Sequence, residues 1–330
     1  MKEIITTFEQ LGKQLQQTLP EEIIWRAGNQ NVWFTPENIQ TATQSIAQWL
    51  TKTQLQNWLN SYKLPTTNPQ KVGIVVAGNI PLVGFHDLLC VLVSGHQAVL
   101  KLSSQDTVLM QYIIDFLMQE SAELAEKIII AEQLKGIDAV IATGSDNTAR
   151  YFNYYFRSIP HIIRKNRTSV AALSGNENEK ELKSLCQDIF LYFGLGCRNV
   201  SKLFVPKNYD LMPLLQQLER YTKVIQHHKY FNNYEYRKAI LLINQQPFLD
   251  TGTILVQENT ALVSPPAMLY YEYYDNETEL QQKLAAHTDK IQCLVSHFLT
   301  HSVPFGQTQT PTLTDYADGI DTMQFLEQLS

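Results

Sequence analysis

Lys71-Val72-Gly73-Ile74-Val75-Val76-Ala77-Gly78-Asn79-Ile80-Pro81 is the stretch on which the fold turns. A β-branched run ends on small residues and an asparagine, and Pro81 opens the apolar segment Leu82 to Val93, so a buried strand, a loop and a helix follow one another. Downstream the alternation continues. Ala98-Val99-Leu100-Lys101-Leu102 reads as a strand, Thr107 to Leu124 as a helix, Ile128 to Ile130 and Ala139 to Ala142 as strands, and a helix starts near Asp146. Nearly continuous apolar strands separated by helices predict a parallel sheet covered on both faces. Ligands of such sheets sit at the carboxyl ends of the strands, which directs attention to the loops at Gly78, Leu102 and Thr143.

Before Lys71 the chain reads as helical, with Ile5, Phe8, Leu11 and Leu15 at helical spacing and a helix start at Thr35-Pro36-Glu37, up to the breaking loop Leu64-Pro65-Thr66-Thr67-Asn68-Pro69. Beyond residue 150, the strand Ser169 to Leu173 leads into a helix from about Glu177 to Phe193. This helix delivers Phe193-Gly194-Leu195-Gly196-Cys197-Arg198-Asn199, and the strand Lys202 to Val205 follows. Helices near Leu211 to His227 and Asn233 to Ile243 then alternate with strands at Thr253 to Val256, Met268 to Tyr273 and Ile291 to Val295. No internal repeat and no low-complexity linker interrupts the pattern.

The bulk numbers exclude several classes. The chain has 330 residues, 44% of them hydrophobic and 18% charged, enough for two domains. A net charge of -6, with dispersed lysines and arginines, argues against a nucleic-acid partner. Cys90, Cys186, Cys197 and Cys293 are far apart and show no metal-ligating or redox pair spacing, so no metal is expected, and free thiols in a reducing, cytoplasmic compartment are. The N-terminus is too polar for a signal peptide, because Glu9 and Lys13 follow at once. The longest apolar region, Val72 to Val93, is broken by Asn79, Pro81, His86 and Asp87 and predicts no membrane span.

Four places carry candidate chemistry. Cys197 stands between glycines and an arginine, where a substrate approaches closely and a positive neighbour favours thiolate; a buried, inert thiol is the structural alternative. Asn79 is placed to aim its amide at a developing oxyanion, or to cap a helix. Lys101 at a strand end, with Ser103 and Ser104 after it, suits a ribose or phosphate, or else a solvated lysine beside a serine cap. Thr143-Gly144-Ser145 ends a strand where backbone and hydroxyls approach a dinucleotide, although no GxGxxG fingerprint exists in the chain.

The order Asn79, Lys101, Thr143-Gly144-Ser145, Cys197 resembles that of the aldehyde dehydrogenase superfamily, as do the separations of 22 positions from Asn79 to Lys101 and 52 from Ser145 to Cys197. Within it the chain looks most like the fatty acyl-CoA reductases related to the subunit that supplies aldehyde to bacterial luciferase. Val303-Pro304-Phe305-Gly306-Gln307 and Asp315-Tyr316-Ala317-Asp318-Gly319-Ile320-Asp321-Thr322 are similar to that group's C-terminal signature. The resemblance covers about residues 70 to 325. It implies an α/β, aldehyde-dehydrogenase-like fold: a Rossmann-type parallel-sheet cofactor domain with N-terminal helices (1-168), an α/β catalytic domain (169-300), and a C-terminal segment (301-330) returning to the cofactor domain.

By the same resemblance Cys197 is the nucleophile that takes an acyl group from a thioester, and Asn79 with the Cys197 backbone N–H forms the oxyanion hole. Lys101 contacts the cofactor ribose, with Ser103 and Ser104 beside it, and Thr143, Gly144 and Ser145 turn over the pyrophosphate and nicotinamide side. Two departures refine this. Aldehyde-oxidising members place a water-activating glutamate where this chain has Ile162-Ile163-Arg164-Lys165-Asn166-Arg167, without a carboxylate, so an acyl-enzyme is expected to await hydride or a thiol. Ser104 stands where NAD-preferring relatives keep an acid; an acid would repel a 2'-phosphate by roughly 1 kcal/mol or more, so NADPH is the expected cofactor and a coenzyme A thioester the expected substrate.

The chain is short for this superfamily, and the hairpin that joins subunits in typical members is not evident. A homo-oligomer and an acyl-donor protein partner therefore both stay open. Glu272, in Tyr270-Tyr271-Glu272-Tyr273-Tyr274, falls where relatives keep an acid near the nicotinamide, or else belongs to an alternating aromatic strand. Arg164, Lys165 and Arg167 are either contacts for coenzyme A phosphates or a solvated charged turn. An acyltransferase or thioesterase that forms the same acyl-cysteine, and a catalytically silent binding protein, are the alternative functions. The 16 tyrosines and 14 phenylalanines suit an apolar acyl tunnel and a core equally, so chain length is not legible.

Overall fold

The computed structural model of the chain describes residues 2-329. β1 (Lys71–Val75) is the centre of a five-stranded sheet with β2 (Gln97–Lys101), β3 (Ile128–Ile130), β4 (Ala139–Thr143) and β5 (His161–Arg164). The order is β3-β2-β1-β4-β5 and every pairing is parallel, with Val75 opposite both Lys101 and Ala142. The order reverses between β1 and β4, which opens a crevice at their carboxyl ends. The expected strands all form. β5 was not expected; it carries one short alternation, with Ile162 and Arg164 buried, inside a stretch that reads as charged.

The helices before and between its strands are α1 (Lys2–Leu15), α2 (Glu21–Gln30), α3 (Pro36–Trp49), α4 (Lys52–Leu59), α5 (Phe85–Ser94), α6 (Thr107–Glu120), α7 (Ala122–Lys127) and α8 (Asp146–Tyr155). In α1 the buried stripe is Ile4, Phe8, Leu11 and Leu15, each worth about 1.5–3 kcal/mol when fully withdrawn from water. α3 begins as its sequence predicts: Thr35 caps it by accepting from Asn38 N–H at 3.2 Å, and Pro36 supplies a helical φ. α5 starts later than its apolar run, because Leu82 adopts a left-handed φ of 57° and the chain is still turning there. From Leu88 to Val93 every side chain of α5 is buried, so the helix is core on all sides.

The chain divides into two compact units, one taking residues through Asn166 and again from Thr312, the other Arg167–Pro311. In the first, the C-terminal helix Thr322–Glu327 packs on α5 with Met323 and Leu326 fully buried. His96, also buried, accepts from Gln70 N–H through Nδ1 and donates from Nε2 to Leu326 O, both at 3.0 Å. Trp58 Nε1 donates to the Tyr316 hydroxyl at 2.7 Å, and Tyr62, in contact with that hydroxyl, donates to Asp321 at 2.9 Å. These bonds tie the C-terminal segment to α4, α5 and the sheet.

The second unit is a six-stranded sheet, made of β6 (Thr168–Ala172), β7 (Val200–Pro206), β8 (Leu249–Asp250), β9 (Leu255–Glu258), β10 (Met268–Tyr274) and β11 (Ile291–Val295) in the order β11-β6-β7-β10-β9-β8. Only β8 runs antiparallel to its neighbour. Its helices are α9 (Glu179–Phe190), α10 (Met212–Glu219), α11 (His228–Ile243) and α12 (Glu277–Ala285). α9 starts with an Asn178–Glu181 capping box and ends at Phe190, three residues before the expected end. Residues 301-311 belong to this unit rather than returning to the first. Val303 bridges to Val295, and buried Asp188 accepts from Gly306 N–H at 2.7 Å, Thr308 N–H at 3.1 Å and the Thr308 hydroxyl at 2.8 Å. Among the described residues no helix is long and apolar enough to cross a membrane.

Candidate active site

In the first unit Lys101 and Thr143 are the last residues of β2 and β4, and Asn79, Ser103, Ser104, Gly144 and Ser145 lie on the loops that follow β1, β2 and β4 at the carboxyl edge of the sheet. Asn79 is exposed. Gly78 is required beside it, since a Cβ there would collide with the Ser103 side chain, and its carbonyl accepts from Asn31 Nδ2 at 3.2 Å. The loops after β1 and β2 are therefore in direct contact. Lys101 and Ser104 are exposed, and the Ser104 carbonyl is fixed by Gln30 Nε2 at 2.9 Å, whose Oε1 accepts from Val108 N–H at 3.1 Å. Ser103 Oγ accepts from Gln105 N–H at 3.2 Å and so closes the turn into α6. Gly144 N–H donates to Arg164 O at 3.2 Å, and Ser145 is the N-cap of α8, accepting from Thr148 N–H at 3.2 Å.

Two residues of this edge have partners that the sequence does not show. Asp106, 1% exposed, turns inward and accepts from Leu82 N–H at 2.7 Å, holding the left-handed corner of the loop that carries Asn79. Its second oxygen has no partner, and burial pushes its carboxyl up to about 8. The loop from Lys101 to Asp106 thus exposes Lys101 and Ser104, turns Ser103 against Gly78 and keeps its single carboxyl inside. Arg164 is the other. Expected as a solvated turn or a phosphate contact, it is instead 4% exposed, bonded to Asp87 at 2.5 Å and to the Thr322 hydroxyl at 2.9 Å. The end of β5 is thereby bolted to α5 and to the C-terminal helix. Lys165 is exposed, and Arg167, in the second unit, donates to Ile291 O at 3.2 Å.

In the second unit Cys197 is a corner residue of the turn Gly196-Cys197-Arg198-Asn199, closed by Asn199 N–H donating to Gly196 O at 3.0 Å. The Ser169 hydroxyl donates to Cys197 O at 3.1 Å, which fixes the corner to β6. Arg198 donates to Cys293 Sγ at 3.3 Å and to Thr308 O at 3.4 Å. Of the four thiols Cys197 alone is partly exposed. Burial pushes the Cys186 thiol up to about 12 and that of Cys90 well above its ordinary value, which leaves both inert.

Glu272 is engaged on both oxygens, by Lys202 and by Lys283 at 2.6 Å. Burial works against its charged form, but the two lysines prevail and hold its carboxyl below the ordinary range. It stands in the alternating strand β10, locked in a charge network, with Lys202 only 1% exposed. Among the described residues no group of three or more histidine, cysteine or acidic side chains is arranged to hold a metal.

Comparison with solved structures places this architecture. An indole-3-acetaldehyde dehydrogenase of P. syringae, a cysteine-to-alanine mutant in complex with NAD+ and IAA, superposes with a TM-score of 0.66 over 91% of this chain and 72% of its own, at 13% identity. The chain has the aldehyde dehydrogenase fold. An NAD+ complex of the aldehyde dehydrogenase from Bacillus cereus matches with a TM-score of 0.62, 13% identity, and coverage of 88% and 70%. Aldehyde dehydrogenase C of Pseudomonas syringae, with NAD+ and octanal, matches at 0.65 and 12% identity, over 89% and 71%. At these identities the aldehyde dehydrogenase likeness is one of fold. No protein-family model and no curated protein matches the sequence.

Proposed function

We propose that the protein is an NADPH-dependent reductase of acyl-CoA thioesters, probed most directly at Cys197. The observation that carries this reading is the cysteine corner: one partly exposed thiol of four, on a turn fixed by Asn199 and Ser169, in a chain of aldehyde dehydrogenase fold. Solved structures of that fold hold NAD+, so a nicotinamide cofactor is the first candidate here too. The donor set of the first unit fits a phosphorylated dinucleotide: the Lys101 cation, the Ser103 and Ser104 hydroxyls, and the amino end of α8 offer charge and hydrogen bonds, and Asp106 is withdrawn from them. That withdrawal favours the 2'-phosphate of NADPH over NADH.

The Cys197 thiolate attacks the thioester carbonyl, the Cys197 N–H donates to the oxyanion, and the carbon–sulfur bond to coenzyme A breaks as its thiolate leaves. When bound, NADPH supplies the hydride that converts the acyl carbon to the aldehyde level. Collapse of the resulting thiohemiacetal breaks the bond to Cys197, releases the aldehyde and returns the thiolate. Hydrolysis is disfavoured because residues 162-167 contain no carboxylate to activate water. A single-turnover mix with a long-chain acyl-CoA, read by intact mass and then by NADPH absorbance, tests this. The expected result is an acyl adduct, absent in Cys197→Ser, that discharges as NADPH is oxidised. An adduct indifferent to NADPH would make the protein an acyltransferase or thioesterase; no adduct from any acyl donor would leave a silent binding protein.

A further inference from the structure

α9 does not run straight into the cysteine turn. After Phe190 the chain reverses through Tyr192 (φ 51°, ψ 28°), Phe193 (φ 58°, ψ 26°) and Gly194 (φ 74°), all left-handed. Glycine accepts that conformation freely, whereas two successive aromatic residues in it are strained and persist only where the surroundings enforce it. One side chain does most of the enforcing. Asn199, 1% exposed, donates from Nδ2 to Leu191 O at 2.8 Å, to Asp188 O at 3.0 Å and, more weakly, to Ile189 O at 3.4 Å, the carbonyls left open where α9 ends. Its Oδ1 meanwhile accepts from Gly196 N–H at 2.8 Å.

We propose that Asn199 is a positioning residue for the Cys197 nucleophile: its amide bolts the left-handed Tyr192–Gly194 reversal to the residue preceding the cysteine, and so sets the direction of the thiol and of the Cys197 N–H. A residue serving only to satisfy the end of α9 would need the Nδ2 donors alone. Here the same planar amide also takes the Gly196 N–H, while the Asn199 backbone closes the turn over Gly196 O and its own carbonyl accepts from Ser169 N–H at 3.1 Å. Both the N–H and the carbonyl of Gly196, the residue before Cys197, are thus held by one residue. With the Ser169 hydroxyl on Cys197 O, the backbone on both sides of the cysteine is held. The geometry matters for attack on a carbonyl, which needs both the sulfur trajectory and an oxyanion donor, and little for displacement at a saturated carbon.

This inference rests on the acyl-cysteine reading above, and p-nitrophenyl acetate separates the two. Wild type is expected to release a stoichiometric burst of p-nitrophenolate that Cys197→Ser lacks. Asn199→Ala, with its far-UV circular dichroism unchanged, is expected to slow that burst by about tenfold or more while iodoacetamide alkylation of Cys197, followed by peptide mass, changes by less than about threefold. Asn199→Asp keeps an acceptor for Gly196 N–H and loses the amide donors, and provides the same comparison if the alanine variant does not fold. A burst that survives in a folded variant overturns the proposal alone, and so does a burst that falls by the same factor as alkylation, which would mark a purely structural role. Failure of both variants to fold likewise assigns Asn199 to the fold and overturns it. A wild-type protein with no burst overturns the acyl-cysteine reading together with it.

Discussion

At the scale of single residues, the candidate site was legible where chemistry coincides with a strand end and illegible where it depends on a distant partner. Asp106 is the clearest case. In sequence it is one acid after two serines; in the structure it is a buried brace for Leu82, 24 positions away. Folded, its carboxyl keeps a proton to about pH 8. Unfolded, it releases that proton near pH 4, as an ordinary aspartate does. Between these values the folded state binds the extra proton, so this group makes stability fall as pH rises from about 4 to 8 and has no further effect above that. Asp106→Asn keeps the acceptor for Leu82 N–H and carries no charge. Its melting temperature should match wild type near pH 4 and exceed it by about 3 °C or more at pH 8 to 9. Equal melting curves for the two proteins across that range would show that the carboxyl is already ionised in the fold.

At the scale of elements, the strands announced themselves because parallel-sheet strands are apolar runs, and α1, α3 and α5 did so through periodicity, a cap or sheer apolarity. β5 did not. Its Arg164 reads as a surface charge, and only the fold shows that Asp87, 77 positions earlier, neutralises it. The end of α9 was hidden for a related reason: apolar periodicity continues through Tyr192 and Phe193, and the left-handed reversal is imposed by Asn199 from beyond the cysteine. The Arg164 bolt is open to test. Arg164→Ala strands Asp87 without its counter-charge and should cost the first unit about 3 kcal/mol or more in urea unfolding. Replacing both partners, Arg164→Met with Asp87→Leu, removes the charge pair instead of breaking it and should recover most of that loss. If the single variant unfolds like wild type, the pair is solvated and the C-terminal helix is held by Met323 and Leu326 alone.

At the scale of the whole molecule, the division into two units distributes the proposed chemistry. The dinucleotide candidates Lys101, Ser103, Ser104 and Thr143 to Ser145 belong to one unit, and Cys197 with its clamp belongs to the other. Each set is built by its own sheet, its own core and its own hydrogen bonds, so damage to one should leave the other intact. The sequence could anticipate the order of these parts, since order survives any fold, but it placed the last boundary at residue 301. The Asp188 bonds to Gly306 and Thr308 that keep residues 301-311 in the second unit have no signature along the chain. Separability then predicts a double dissociation. Lys101→Ala should weaken NADPH binding, measured by fluorescence titration, by about tenfold while Cys197 alkylates at the wild-type rate. Cys197→Ser should abolish acylation and bind NADPH as wild type does. A Lys101→Ala protein whose thiol reactivity collapses along with cofactor binding would mean that the nucleophile is organised through the cofactor loops, and the local clamp around Asn199 would then not suffice to set it.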